Sequence, residues 1–139
     1  MSRVYTGGTF DLFHAGHVRF LRRCHQMGEV IVALNTDEFV KEFKGKAPIM
    51  TYNEREEVLS ACKYVDEVIP NLSGADSKPT IEDVCPDVIV IGDDWKDKDY
   101  CKQMGFTMKW LKEQNIELVY IPYTPNISTT IIKERLKND

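Results

Sequence analysis

Val30-Ile31-Val32-Ala33-Leu34 is an unbroken apolar run. A half-buried strand alternates apolar with polar residues. A run without that alternation marks a strand covered on both faces, as in a parallel sheet between helices. The same signature recurs at Val88-Ile89-Val90-Ile91. Shorter strand candidates stand at Arg3–Tyr5, Val65–Ile69 and Leu118–Ile121. Helices are expected over His17–Gln26, Asn53–Lys63, Ser77–Val84, Met104–Gln114 and Ser128–Leu136. Gly28 stops the first, Asn53 with Glu56 caps the second, Pro79 fits only the first turn of the third, and Ser128 caps the last. Lys41–Ala47 is polar and reads as a mobile connection.

Strands alternating with helices predict an α/β fold: a Rossmann-like, doubly wound parallel sheet of about five strands. Residues 1–139 are expected to form one domain, since 139 residues are enough for one and too few for two ordinary ones. Hydrophobic residues at 42% and charged residues at 29% exclude a disordered or fibrous chain. The net charge of -4 lacks the basic excess of a nucleic-acid-coating protein, so no nucleic-acid partner is expected. Met1-Ser2-Arg3 runs directly into a strand candidate, and no apolar run is long enough to span a bilayer. A cytoplasmic protein without a membrane partner is the expectation. Cys24, Cys62, Cys85 and Cys101 form no CxxC pair, which predicts free thiols and no zinc site.

In such a sheet, ligands sit beyond the carboxyl ends of the strands where strand order reverses. The first strand ends in Gly8-Thr9-Phe10-Asp11-Leu12-Phe13-His14-Ala15-Gly16-His17. Two imidazoles at the mouth of a helix can add directed donors to a terminus that already favours phosphate. Gly16 removes a side chain where phosphate oxygens would come close. The plainer alternative makes His14 a cap and His17 a surface residue.

GTFDLFHAGH resembles the signature of the HxGH nucleotidyltransferases, and the rest of the chain resembles their cytidylyltransferase branch. Thr36-Asp37-Glu38-Phe39, Lys44-Gly45-Lys46, Tyr52-Asn53-Glu54-Arg55, Tyr64-Val65-Asp66-Glu67-Val68-Ile69-Pro70, Gly92-Asp93-Asp94-Trp95 and Ile127-Ser128-Thr129-Thr130 follow in family order. The resemblance implies transfer of CMP from CTP to a small phosphorylated alcohol, with pyrophosphate released. Glycerol 3-phosphate, giving CDP-glycerol, is the leading acceptor. Ethanolamine phosphate, choline phosphate, a polyol phosphate or a phosphonate are alternatives. So are an adenylyltransferase of the FMN type and a non-catalytic nucleotide-binding protein. The resemblance further implies Mg2+ arriving with CTP, a homodimer, and a role supplying activated alcohols to the cell envelope.

A phosphate monoester is mostly ionised near neutrality, with a second pKa of about 6, so its attack on the α-phosphorus needs no general base. Alignment and charge stabilisation then carry the reaction. The resemblance gives catalytic roles to His14, His17, Lys44 and Lys46, although the lysines alone would read as a solvated loop. It gives nucleotide contacts to Gly8, Thr9 and Phe10, to Gly92 and Asp94, and to Thr124, Ile127, Ser128 and Thr129. Acceptor contacts fall on Asp11, Lys44, Arg55, Lys63, Asp66 and Trp95. Asp11 also reads as a loop-orienting residue, Asp93 and Asp94 as a turn or cap, Trp95 as core, and Ser128 as an ordinary cap.

Two departures bear on the acceptor. The family's last motif carries Arg and Gly where this chain has Tyr123 and Asn126, and its Arg before Tyr-Val-Asp-Glu is Lys63. Lysine keeps the charge but loses the bidentate fork. Arg55 is expected to compensate. The Lys98–Gln114 connection is longer than in compact relatives.

Overall fold

The computed structural model describes residues 2–72, 76–92, 105–122 and 127–137. Among these the elements are β1 (Arg3–Gly8), α1 (Ala15–His25), β2 (Glu29–Asn35), α2 (Asp37–Lys44) and α3 (Tyr52–Ala61). There follow β3 (Glu67–Asn71), α4 (Lys78–Val84), β4 (Val88–Gly92), α5 (Met108–Glu113), β5 (Glu117–Ile121) and α6 (Thr129–Lys137). All strand pairs are parallel and the sheet order is β3-β2-β1-β4-β5. The chain starts at the centre, winds out through β2 to β3, then crosses back to β4 and β5. Strand order therefore reverses at β1, the strand that feeds the histidine segment.

The continuous apolar run of β2 has the expected cause. Val30, Val32 and Leu34 enter one core with Val4, Leu21, Cys24, Leu59 and Val90. Ile31 and Ala33 enter the other with Tyr5, Ile81, Ile89, Ile91, Phe106 and Leu111. Successive strand residues point to opposite faces, so a strand lined on both sides has no polar position to spare.

The reversal point opens beside β1. Val4 pairs with Val88 and Tyr5 with Ile89. One residue on, the Thr6 hydroxyl donates to the Val90 carbonyl at 2.9 Å, a side-chain link between the two strands.

Several boundaries differ from expectation. The first strand runs on to Gly8 and the first helix begins at Ala15. The segment read as a mobile connection is partly helical: α2 is capped by Thr36, whose Oγ1 accepts from the Phe39 N–H at 3.2 Å, and closed by Gly45 at φ 84°. Its polar surface hid it, since Val40 is its buried residue. The cap of α3 is Thr51 rather than Asn53, in a reciprocal box with Glu54 rather than Glu56. Both pairs have the capping spacing, and the one that precedes the helical turn wins. The third strand starts at Glu67 instead of Val65.

Candidate active site

The loop from β1 to α1 is under strain. Phe10 and Leu12 both have φ of 51°, left-handed values that cost roughly 1–2 kcal/mol each for residues with a Cβ. Four sets of hydrogen bonds hold them there. An Arg55 Nη1 donates to the Thr9 carbonyl at 2.9 Å. The Asp11 carboxylate accepts from the N–H groups of Leu12, Ile49 and Met50 at 3.1, 2.8 and 2.9 Å. The Thr129 hydroxyl donates to the Asp11 carbonyl at 3.0 Å. The Asn35 amide donates to Thr9 Oγ1 at 3.2 Å. Gly8 is required by the same loop, since a Cβ there would lie 2.8 Å from the Phe10 ring.

The histidines form the start of α1. His14 is its N-cap, and its Nδ1 accepts from the Gly16 N–H at 3.0 Å. His17 completes a reciprocal box: its Nδ1 accepts from the His14 N–H at 3.2 Å. An imidazole that accepts at Nδ1 carries its proton on Nε2. Both rings are thus fixed as neutral Nε2–H donors. They stack with centroids 3.9 Å apart, and Phe10 and Phe13 flank His17 at 5.2 and 5.4 Å. Burial holds His14 below the ordinary imidazole value. Burial, then the neighbouring His14, bring His17 down to about 4, against an upward pull from Asp11. Two cationic rings in this stack would repel each other and lose their caps.

The structure adds a second reason for Gly16. Its missing Cβ would meet the His14 ring at 2.8 Å and Ile127 at 3.4 Å. The glycine lets the imidazole fold back over the helix start. Ile127 at that point, with the Thr129 bond, brings the start of α6 against the start of α1. Ser128 caps α6 through the Ile131 N–H at 3.1 Å. The Ser128 and Thr129 hydroxyls are thus engaged within the protein, and because Ser128 takes the Ile131 N–H, the Thr129 and Thr130 N–H groups are the ones at this helix start that would face an anion. Phe10 is buried, and acts on the site as a wall behind His17.

Four expected acceptor contacts are placed otherwise. Arg55 is fully buried at 0% exposure. Its guanidinium donates to the carbonyls of Met50, Thr9 and Asn35 at 3.0, 2.9 and 2.9 Å and to the Asp37 carboxylate at 2.6 Å. It presents no surface to a substrate. Both Asp11 oxygens accept from backbone, which is the loop-orienting reading. Asp66 accepts from the Val30 N–H at 2.7 Å, at the entry of β2, and Lys63 lies exposed over the Tyr64 ring at 5.1 Å. Thr9 is bonded to Asn35 at the other end of β2, five residues from Val30, or roughly 16 Å along a strand. Lys63 and Asp66 of this chain therefore stand at the opposite end of the sheet from its histidines.

Lys44 ends α2 and Lys46 follows Gly45, both exposed. Three residues past Lys46 the chain docks on Asp11. Gly92 closes β4 at the carboxyl edge of the sheet, beside Ile121 of β5. Asp93, Asp94, Trp95, Tyr123, Thr124, Asn126 and the start of the longer connection, residues 98–104, lie outside the described residues. Among the described residues, no group of three or more His, Cys, Asp or Glu side chains is placed to hold a metal ion. No described helix is long and apolar enough to cross a membrane.

Sequence reasoning overlooked Asn35 and Asn71. The Asn71 amide donates to Asn35 Oδ1 at 3.1 Å, and Asn35 in turn reaches Thr9. The available signal was a polar residue closing a strand at the carboxyl edge, where a parallel sheet meets its ligand.

A parallel sheet that reverses at β1, with two donor imidazoles and two converging helix starts there, defines an α/β domain of the nucleotidyltransferase type. The chain matches the cytidylyltransferase-like family over residues 5–135, and it belongs to that family. It is 43% identical over 137 residues to a glycerol-3-phosphate cytidylyltransferase of Bacillus subtilis, covering 98% of each chain. It is 42% identical over 122 residues to an FAD synthase of Pyrococcus horikoshii, covering 87% of this chain and 80% of that one. Among solved structures, a lipopolysaccharide core biosynthesis protein of Thermoplasma volcanium superposes with a TM-score of 0.71 at 29% identity, covering 89% of this chain and 98% of the other.

Proposed function

We propose that this protein transfers CMP from CTP to glycerol 3-phosphate, forming CDP-glycerol and pyrophosphate. The carrying observation is the imidazole pair, held as Nε2 donors at the reversal point of the sheet. The 43% identity to the Bacillus subtilis enzyme supports the choice of substrates. A phosphate oxygen of the acceptor attacks the α-phosphorus of CTP. The bond from that phosphorus to the oxygen bridging to the β-phosphate breaks in line, and pyrophosphate leaves with the bonding electron pair. No proton needs to move, because the nucleophile is already anionic.

His14 and His17 donate from Nε2 to phosphate oxygens as negative charge shifts onto the leaving group. Neutral donors suit this role, since they deliver directed hydrogen bonds at neutral pH without depending on a titration. Lys44 and Lys46 supply positive charge from the segment that docks beside the loop. Mg2+ enters bound to the triphosphate, where it neutralises phosphate charge.

The similarity to an FAD synthase supports a second reading, in which ATP and FMN are the substrates. Pyrophosphate release measured with four nucleoside triphosphates against a panel of acceptors separates the two. The expected result is release with CTP and glycerol 3-phosphate. Release with ATP and FMN alone overturns the proposal in favour of the second reading, and tight CTP binding without release favours a binding protein. A homodimer in the cytoplasm, feeding cell-envelope polymers, completes the proposal by family resemblance; light scattering of the purified chain tests the dimer.

A further inference from the structure

The lysine-bearing segment and the histidine loop come from different parts of the chain, yet one buried clasp fastens them together. We infer that Arg55 is a positioning residue that sets Lys44 and Lys46 in register with His14 and His17. The inference rests on the proposed roles of those lysines. Arg55 reaches both partners at once. It holds the loop through the Thr9 carbonyl and the returning segment through the Met50 carbonyl. Asp11, two residues past Thr9, closes the same seam from the other side by accepting the N–H groups of Ile49 and Met50.

The upstream end of the segment is tied to the same guanidinium. Asp37, the first residue of α2, accepts from Arg55 Nη2 at 2.6 Å and from the Tyr52 N–H at 3.2 Å. The Asn35 carbonyl just before α2 accepts from Arg55 Nη1. Residues 38–48, which include both lysines, are therefore fixed at both ends by one fully buried cation. A planar fork with several donors can satisfy four acceptors in different directions, and an ammonium group on a flexible stem cannot reproduce that geometry. Its burial keeps it from substrate, so its effect on rate must pass through what it holds.

The test is a double-mutant cycle on CMP transfer, with melting temperature followed in parallel. Arg55→Lys is expected to stay folded, lower kcat about 10- to 100-fold, and change KM for CTP by less than about 3-fold. Combined with Lys46→Ala, it is expected to lose little beyond the worse single variant, because residues acting as a unit are non-additive. Losses that multiply, or an unchanged kcat in Arg55→Lys, overturn the inference. Should Arg55→Lys fail to fold, Asp37→Asn serves in its place with the same pattern at smaller size. If Lys46→Ala is itself silent, the lysine assignment falls and Arg55 is judged by amide exchange. Faster exchange at Ile49 and Met50 in the variant sustains the clasp, and unchanged exchange removes it.

Discussion

Each imidazole at the start of α1 does two jobs with its two nitrogens. Nδ1 accepts a backbone N–H and Nε2 is left to donate. Asparagine can imitate the first and not the second, since its Oδ1 lies near the Nδ1 position. His14→Asn should therefore keep the helix start while lowering kcat by about 100- to 1000-fold, the usual loss of one transition-state donor. Steady-state kinetics beside a circular-dichroism melt checks both halves. The pH dependence follows from the same geometry. His17 is held at about 4 in the folded protein, against an ordinary value of 6.5. The unfolded imidazole thus takes up a proton first as pH falls. The stabilisation from neutral His17 is full above about 6.5 and is lost as pH drops toward 4. Chemical denaturation between pH 7 and 4 should show that decline, and His17→Asn, which does not titrate, should flatten it.

At the scale of elements, the site depends on how helices begin. Three of them matter: α1 capped by a histidine, α3 by Thr51, and α6 by Ser128. Thr51 is far from the chemistry in role but not in consequence, because α3 carries Arg55 in its first turns. Thr51→Ala removes the acceptor for the Glu54 N–H and breaks a reciprocal box. It should cost about 1 kcal/mol and lower Tm by roughly 3–6 °C, read by calorimetry. The helix α2 shows why local reading fails in places. Thr36 and Gly45 cap it, but five of its eight residues, Asp37, Glu38, Lys41, Glu42 and Lys44, are charged, so the segment does not announce a core face. It is stabilised by what it docks against, through Val40 and the Asp37 pair with Arg55.

At the scale of the whole molecule, the proposed binding corner gathers residues from β1, α1, the start of α2, the 49–50 segment and α6. A ligand that bridges these parts must stabilise the fold as a unit. CTP with magnesium at about 100 times its Kd should add about 2.7 kcal/mol to the unfolding free energy, visible as a rise in Tm. His17→Asn should shrink that rise, and glycerol 3-phosphate without nucleotide should give less of it. A CTP-induced rise that is the same in His17→Asn as in the unaltered protein would place the nucleotide elsewhere.

The sequence by itself determined the parallel sheet and the corner where the histidines stand. Both are written in short-range patterns: apolar runs that tolerate only a strand covered on two faces, and a strand end passing through glycines into a helix. Tertiary structure decided what lies within reach of that corner. Arg55, Lys63 and Asp66 are close neighbours in the chain, but one turns inward to clasp the loop and the others fall at the far edge of the sheet. A helix and its exit carry the chain from one end of a strand layer to the other, so spacing along the chain says little about which end a side chain serves. Asp11 likewise offered both an acceptor contact and a loop-orienting role to sequence reasoning, and the return of Ile49 and Met50, distant in the chain, decided for the second.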